Sequence, residues 1–183
     1  FELLDHRGDA HELYYLSDAR AVVLMSHVAS CKAAIPAVEM AGNGAALYRE
    51  RGVEVRLINS QDDRAAINAH MKRIDVDLPV LEDDTRLIGE GLAFAHAGEA
   101  IVVDTRNWAP VFRGDASGLA TALDAFLAGH AVPAGKATSD CPISYESGKP
   151  ASYSDTIAPM LIDKCIGCHR DGGIGPWQMT DYN

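Results

Sequence analysis

Ala21-Val22-Val23-Leu24-Met25-Ser26 runs straight into His27-Val28-Ala29-Ser30-Cys31, and then into Lys32-Ala33-Ala34-Ile35-Pro36. The first six residues form an apolar run too short for a helix, which predicts a strand buried on both faces. A helical stretch follows over about 31–51, with Ile35, Val38, Leu47 and Tyr48 apolar. Pro36 and Gly42-Asn43-Gly44 in its interior predict a kink or a break.

On either side of this unit the chain keeps alternating between strands and helices. Phe1-Glu2-Leu3-Leu4-Asp5 and Glu12-Leu13-Tyr14-Tyr15-Leu16 flank a turn at Gly8. Val53-Glu54-Val55-Arg56-Leu57-Ile58-Asn59 alternates with period two and reads as the next strand. Asp62 is placed to cap a helix reaching Ile74. Asp77-Leu78-Pro79-Val80-Leu81 reads as a short extended segment, and 85–92 as a short helix. Ala100-Ile101-Val102-Val103-Asp104 and Pro110-Val111-Phe112-Arg113-Gly114 predict a hairpin, and Leu119, Leu123, Phe126 and Leu127 the apolar face of a last helix. Over 131–151 the composition shifts to Pro, Gly, Ser and Thr, the mark of a linker.

The 183 residues are 48% hydrophobic and 23% charged, which excludes wholesale disorder. The formal net charge of −10 disfavours nucleic acid as a partner. No apolar run approaches the ~18 residues that would suggest a membrane span. The sequence opens at Phe1, already inside a strand-like pattern, and shows no signal peptide.

Of the four cysteines, two lie in Cys165-Ile166-Gly167-Cys168-His169. This is C-x-x-C-H, the attachment pattern of a c-type haem. Two thiols a turn apart can each form a thioether to a vinyl group, and the adjacent His supplies the proximal ligand to the iron. Tyr153-Ser154-Asp155 offers capping residues ahead of the apolar stripe Ile157, Met160, Leu161 and Ile162, which leads into the motif. The motif implies haem c as cofactor on Cys165, Cys168 and His169. Because such haem is attached outside the cytoplasm, it also implies a periplasmic or other extracytoplasmic location. Cys31 and Cys141 are then the thiols left over, and are candidates for a disulfide. Met179 is a candidate sixth ligand; a His from another chain, a later Met or an open position are the alternatives. Fourteen residues follow His169, too few to wrap a haem alone, so the expectation is a fragment or a partner covering the other face.

The order strand, helix, strand, helix, hairpin, helix, with a Cys at the start of the first long helix, resembles the thioredoxin-like redoxin fold over about 1–130. The pieces that carry it are Val22-Val23-Leu24-Met25, Cys31-Lys32-Ala33-Ala34-Ile35-Pro36, Gly52-Val53-Glu54-Val55, Leu78-Pro79-Val80-Leu81-Glu82-Asp83 and Ile101-Val102-Val103-Asp104. The whole layout resembles multidomain proteins in which a redoxin domain is joined through a Cys-containing linker, here Asp140-Cys141-Pro142-Ile143, to a cytochrome c segment. In the haem segment the match is Ala158-Pro159, Cys165 to His169 and Gly172-Gly173-Ile174-Gly175-Pro176-Trp177. Members of that family often continue into a copper-dependent monooxygenase-like region, which these residues lack. The expected architecture is therefore α/β. It has a redoxin domain at 1–133 with a central sheet flanked by helices, a linker at 134–152, and a short, mainly helical c-type haem segment at 153–183.

Two departures bear on function. Redox-active thioredoxins present Cys-x-x-Cys, and Val28 stands here where the attacking thiol belongs. They also place a cis-proline opposite it, where this chain has His96-Ala97-Gly98-Glu99. The expected function is thus single-electron transfer by a haem subunit whose redoxin domain is a redox-degenerate docking module. Its partners would be a redox protein or other subunits of an extracytoplasmic complex. The alternatives are a thiol peroxidase or oxidoreductase using Cys31, and a structural subunit or fragment of a larger haem or copper assembly. Cys31 itself reads as a peroxidatic thiol, a disulfide partner or an inert buried thiol. His27, four residues before it, reads as a solvated loop histidine or a metal ligand beside Cys31.

Overall fold

The computed structural model describes residues 1–138, 141–145 and 152–179, and divides the chain into two compact units, Phe1–Tyr145 and Glu146–Asn183. The expected linker residues 139, 140 and 146–151, and the last four residues of the expected haem segment, lie outside the described residues.

The first unit is built on a five-stranded sheet whose strands lie side by side in the order 80–82, 53–59, 21–26, 99–104 and 109–115. At its centre is β3 (Ala21–Ser26), parallel to β4 (Val53–Asn59), which is parallel to β5 (Val80–Glu82). On the other side β3 pairs antiparallel with β6 (Glu99–Asp104), and β6 with β7 (Ala109–Asp115). Every residue of β3 is buried because the two faces of the pleat are covered by different material. Val23 and Met25 point to one core, with Val38 and Ala41 of α1 (Ile35–Arg49), Ile67 of α2 (Arg64–Ile74) and Leu119 and Leu123 of α4 (Ala116–Leu127). Val22 and Leu24 point to the other, with Ile58, Leu81, Phe94 and Ile101, closed by Phe1, Leu13 and Trp108. A two-stranded ribbon, β1 (Glu2–Leu4) with β2 (Ala10–Glu12), precedes the sheet, and α3 (Leu87–Gly91) follows β5.

Three local expectations shift. The 31–51 stretch is not broken: a tight turn at Lys32–Ala34 passes directly into α1, which is continuous through Gly42-Asn43-Gly44. Pro36 falls in the first turn, where its missing N–H costs nothing. A Cβ on Gly42 would lie 2.7 Å from Val76 Cγ1, so that glycine serves close packing and does not mark a hinge. The α2 cap is Asp63, whose carboxylate accepts from Ala66 N–H, leaving Asp62 for another task. Glu12–Leu16 extends as strand only to Glu12 before a turn at Leu13–Leu16.

Residues 134–145, expected within the linker, fold as part of the first unit where described. Asp115 N–H donates to Lys136 O, Ala97 N–H to Cys141 O and Ile143 N–H to Ala95 O.

In the second unit, Ser152 caps a wide turn at Tyr153–Ile157 that leads into α5 (Ala158–Lys164), and the helix stops at Cys165. No described residue of this unit is buried, and Met160, Ile162, Ile174 and Trp177 are exposed. Among the described residues no helix is long and apolar enough to cross a membrane.

Candidate functional site

The C-terminal end of β3 delivers the cysteine. Ser26 fixes the loop opposite: its Oγ donates to His96 O at 2.6 Å and accepts from Glu99 N–H, while its carbonyl accepts from Gly98 N–H at 2.9 Å. Gly98 occupies the place where a cis-proline is expected in a thioredoxin. Its φ of +79° and the Ala37 Cβ only 3.2 Å from where its own would stand explain why glycine is needed there.

Across this gap Cys31 and Cys141 form a disulfide, with Cα atoms 6.0 Å apart and 110 positions between them in sequence. Cys31 is 3% exposed and packs with Ala34 and Ala97, while Cys141 and Val28 are only partly buried. Cys141 sits at φ +43°, a left-handed conformation that strains a non-glycine residue. Val28 does stand in the first cysteine position, but the partner thiol arrives instead from the segment after α4.

Behind the 27–31 turn lies a buried polar chain that the sequence did not reveal. Asn59 Oδ1 accepts from the N–H groups of Gln61 and Asp62, which fixes its amide orientation. Asn59 Nδ2 therefore donates to His27 Nδ1 at 2.9 Å and to Asp62 Oδ2 at 2.9 Å. His27 Nε2–H then donates to His70 Nδ1 at 2.8 Å, leaving the buried His70 Nε2 without a partner among the described residues. Asp62 Oδ2 also accepts from Ala29 N–H at 2.7 Å, pinning the turn that carries Cys31. His27 is 1% exposed, not solvated; burial first, and then the neighbouring His70, push its pKa down to about 3. The same burial lowers the pKa of His70. His27 and Cys31 share no metal, since the ring faces His70 and the sulfur is bonded to Cys141. Among the described residues no group of three or more His, Cys, Asp or Glu converges for a metal ion.

In the second unit Cys165 and Cys168 are free thiols. His169 Nδ1 donates to Trp177 O at 2.9 Å, which assigns the proton to Nδ1 and leaves Nε2 with a free lone pair. A Cβ on Gly175 would fall 2.7 Å from His169 Nδ1 and 2.8 Å from Cys168 O, so the turn needs glycine to approach the motif. Met179, the candidate sixth ligand, donates its N–H to His169 O at 2.9 Å.

No family model and no curated protein matches the chain. Solved structures do. A hypothetical protein of Sinorhizobium meliloti is 22% identical with a TM-score of 0.73, covering 81% of this chain and 92% of that one. The peroxidoxin BcpB of Mycobacterium tuberculosis is 19% identical with a TM-score of 0.58, covering 70% and 92%. A secreted M. tuberculosis disulfide oxidoreductase homologous to E. coli DsbE is 14% identical with a TM-score of 0.53, covering 60% and 79%. The fold is thioredoxin-like. These likenesses extend to the redoxin fold and do not include a fused cytochrome c segment.

The expectation of a haem electron carrier with a redox-degenerate docking domain is thereby corrected. A domain without a second cysteine would be redox-silent, and this one holds an oxidised pair at the start of its first long helix. Its structural neighbours include a disulfide oxidoreductase and a peroxidoxin. The Cys31–Cys141 bond matches the expected candidate pair; the misreading lay in treating the domain as redox-degenerate because position 28 carries no thiol.

Proposed function

We propose that the first unit is a thiol–disulfide oxidoreductase whose redox pair is Cys31 and Cys141. The observation that carries this reading is the disulfide itself, with one sulfur buried at a helix start and the other partly exposed. An incoming thiolate reaches Cys141 Sγ more readily than Cys31, forms a mixed disulfide there and expels Cys31 as thiolate. The amide dipoles of the continuous run 32–49 favour that charge. The second thiol of the substrate then attacks its own sulfur in the mixed disulfide and releases Cys141. Two electrons and two protons pass in total: the substrate dithiol becomes a disulfide, and Cys31 and Cys141 become thiols. The reverse direction reduces a substrate disulfide. Beside the pair, an open groove of about 240 Å³ lined by Ala33, Pro36, Ala37 and Gly98 offers room for the backbone of a protein substrate. A disulfide of this kind suits an extracytoplasmic compartment.

The test is a full chain carrying Cys165→Ser and Cys168→Ser, so that only this pair reports. Reduced with a dithiol and mixed with insulin, it should cleave the insulin disulfides at least about tenfold faster than the same dithiol alone, and Cys31→Ser or Cys141→Ser should abolish the difference. Turnover equal to the dithiol background would overturn the reading.

For the second unit we propose haem c as the cofactor, with thioethers at Cys165 and Cys168 and His169 Nε2 toward the iron. The Cys165-x-x-Cys168-His169 spacing, the assigned His169 tautomer, and exposed apolar side chains on a unit with no buried residue among those described support this. A bound haem would supply an apolar surface for Met160 and Ile162 and a one-electron redox centre. Protein matured in a haem-attaching host should exceed its polypeptide mass by one haem, and the excess should survive acid–acetone extraction. Extractable haem would sink the assignment.

A further inference from the structure

The segment Cys141-Pro142-Ile143-Ser144-Tyr145 lies along the loop before β6 as an added strand. His96 and Pro142 are antiparallel bridge partners, and Ala97 N–H and Ile143 N–H bond to Cys141 O and Ala95 O. It is fastened at both ends. At the first, Cys141 is bonded to Cys31. At the second, the Tyr145 phenol is hydrogen-bonded to Ser60 and sits over Gly89, where a Cβ would lie 2.6 Å from its oxygen and 2.3 Å from Ser60 Oγ. Beneath it Asp83, fully buried, accepts from Ser60 Oγ and Gly89 N–H, both at 2.7 Å. Between the fasteners Ile143 is only partly buried, and Ser144 O accepts a single long bond from Gln61 Nε2 at 3.4 Å. The backbone at Cys141 stands at φ +43°, a left-handed conformation unfavourable for a non-glycine residue.

We propose that residues 141–145 are an autoinhibitory strap: an internal copy of a cysteine-bearing substrate strand, seated on the 95–97 edge and covalently held to Cys31. Reduction by a substrate dithiol, which is itself oxidised to a disulfide, converts Cys31 and Cys141 to thiols and releases the strap. The backbone edge and Cys31 are then open to an extended segment of another protein, so oxidised and reduced forms differ in what they bind. This inference builds on Cys31 and Cys141 as the exchanging pair. Its test does not require exchange with any protein, because a phosphine reduces the bond directly.

Hydrogen exchange on the full chain reads the strap through the amides of Ala97 and Ile143. Phosphine reduction should raise exchange at both by at least about tenfold at labelling times too short for the β3 and β4 amides to exchange, and Cys141→Ser should do the same without reductant. Gly89→Ala in the oxidised protein should free Tyr145, moving its phenol down from about 12 toward 10, while Ala97 stays protected by the intact disulfide. The peptide Cys-Pro-Ile-Ser-Tyr, activated on sulfur as a thionitrobenzoate disulfide and added to Cys141→Ser protein, should couple to Cys31 and restore Ala97 protection. Equal protection of Ala97 and Ile143 in oxidised, reduced and Cys141→Ser protein would overturn the strap even if insulin is reduced at full rate. Coupling of the peptide without renewed protection would overturn the substrate-strand mimicry.

Discussion

Reduction of Cys31–Cys141 is expected to cost the first unit about 4–5 kcal/mol of stability, because the bond closes a loop of 110 positions and so restricts the unfolded chain over most of this unit. Relief of the left-handed backbone at Cys141 offsets roughly 1 kcal/mol of that. For a unit of this size the remainder corresponds to a fall in melting temperature of about 10–15 °C. Calorimetry of the full chain with and without phosphine measures it, and the Cys31→Ser, Cys141→Ser double variant should melt with the reduced protein. Equal melting temperatures for oxidised and reduced chains would mean that the bond closes no loop that the unfolded state would otherwise explore.

The second large effect is acid lability centred on His27. Its pKa is about 3 in the folded protein and ~6.5 when unfolded, so between these values the unfolded chain binds a proton that the folded one refuses. Stability therefore rises with pH across that window and falls as pH drops from about 6.5, by about 2–3 kcal/mol at pH 4.5. His70, shifted the same way by burial and then by Arg73, adds to the loss. Asp5, Asp104 and Asp115, whose folded pKa values lie below the ordinary 3.8, contribute stability that disappears only as pH falls further. Urea midpoints at pH 7.0, 5.5 and 4.5 should decline, and His27→Asn should flatten the decline while lowering the midpoint at pH 7. A wild-type profile that stays level to pH 4.5 would show that the imidazole is not held neutral in the core.

The sheet was legible because its signals are local. A six-residue apolar run with two covered faces can only be a central strand, and the period-two pattern of 53–59 marks its neighbour. The cysteine pair was legible by elimination once Cys165 and Cys168 were assigned to one motif. The Asn59–His27–His70 chain was not, because its members lie on separate elements and obey no common period; three isolated polar residues in sequence give no sign that they meet. Nor did the Pro- and Gly-rich composition after α4 reveal that the segment packs. A Cβ on Gly135 would meet Arg113 O at 2.2 Å, so the glycine that marks a linker by composition permits close backbone contact with β7. Function was misread for a related reason: the pairing of Cys31 with Cys141 is legible in sequence, whereas its place at the start of the first long helix, with one sulfur buried and the other partly exposed, is a property of the folded chain.

The sulfur bridge also decides how this protein responds to force. Tension applied between its two chain ends enters β1 from one side and residue 141 from the other, and in the oxidised state it crosses directly from Cys141 to Cys31. The residues enclosed between them, including α1, α2, β4 to β7 and α4, are bypassed and carry none of the pull. Only residues before Cys31 and after Cys141 can lengthen, so a stretched oxidised chain should gain about 110 × 3.4 ≈ 370 Å less contour than a reduced one. A redox change that leaves the fold of the sheet intact thus alters the mechanical reach of the chain by many times the diameter of the unit.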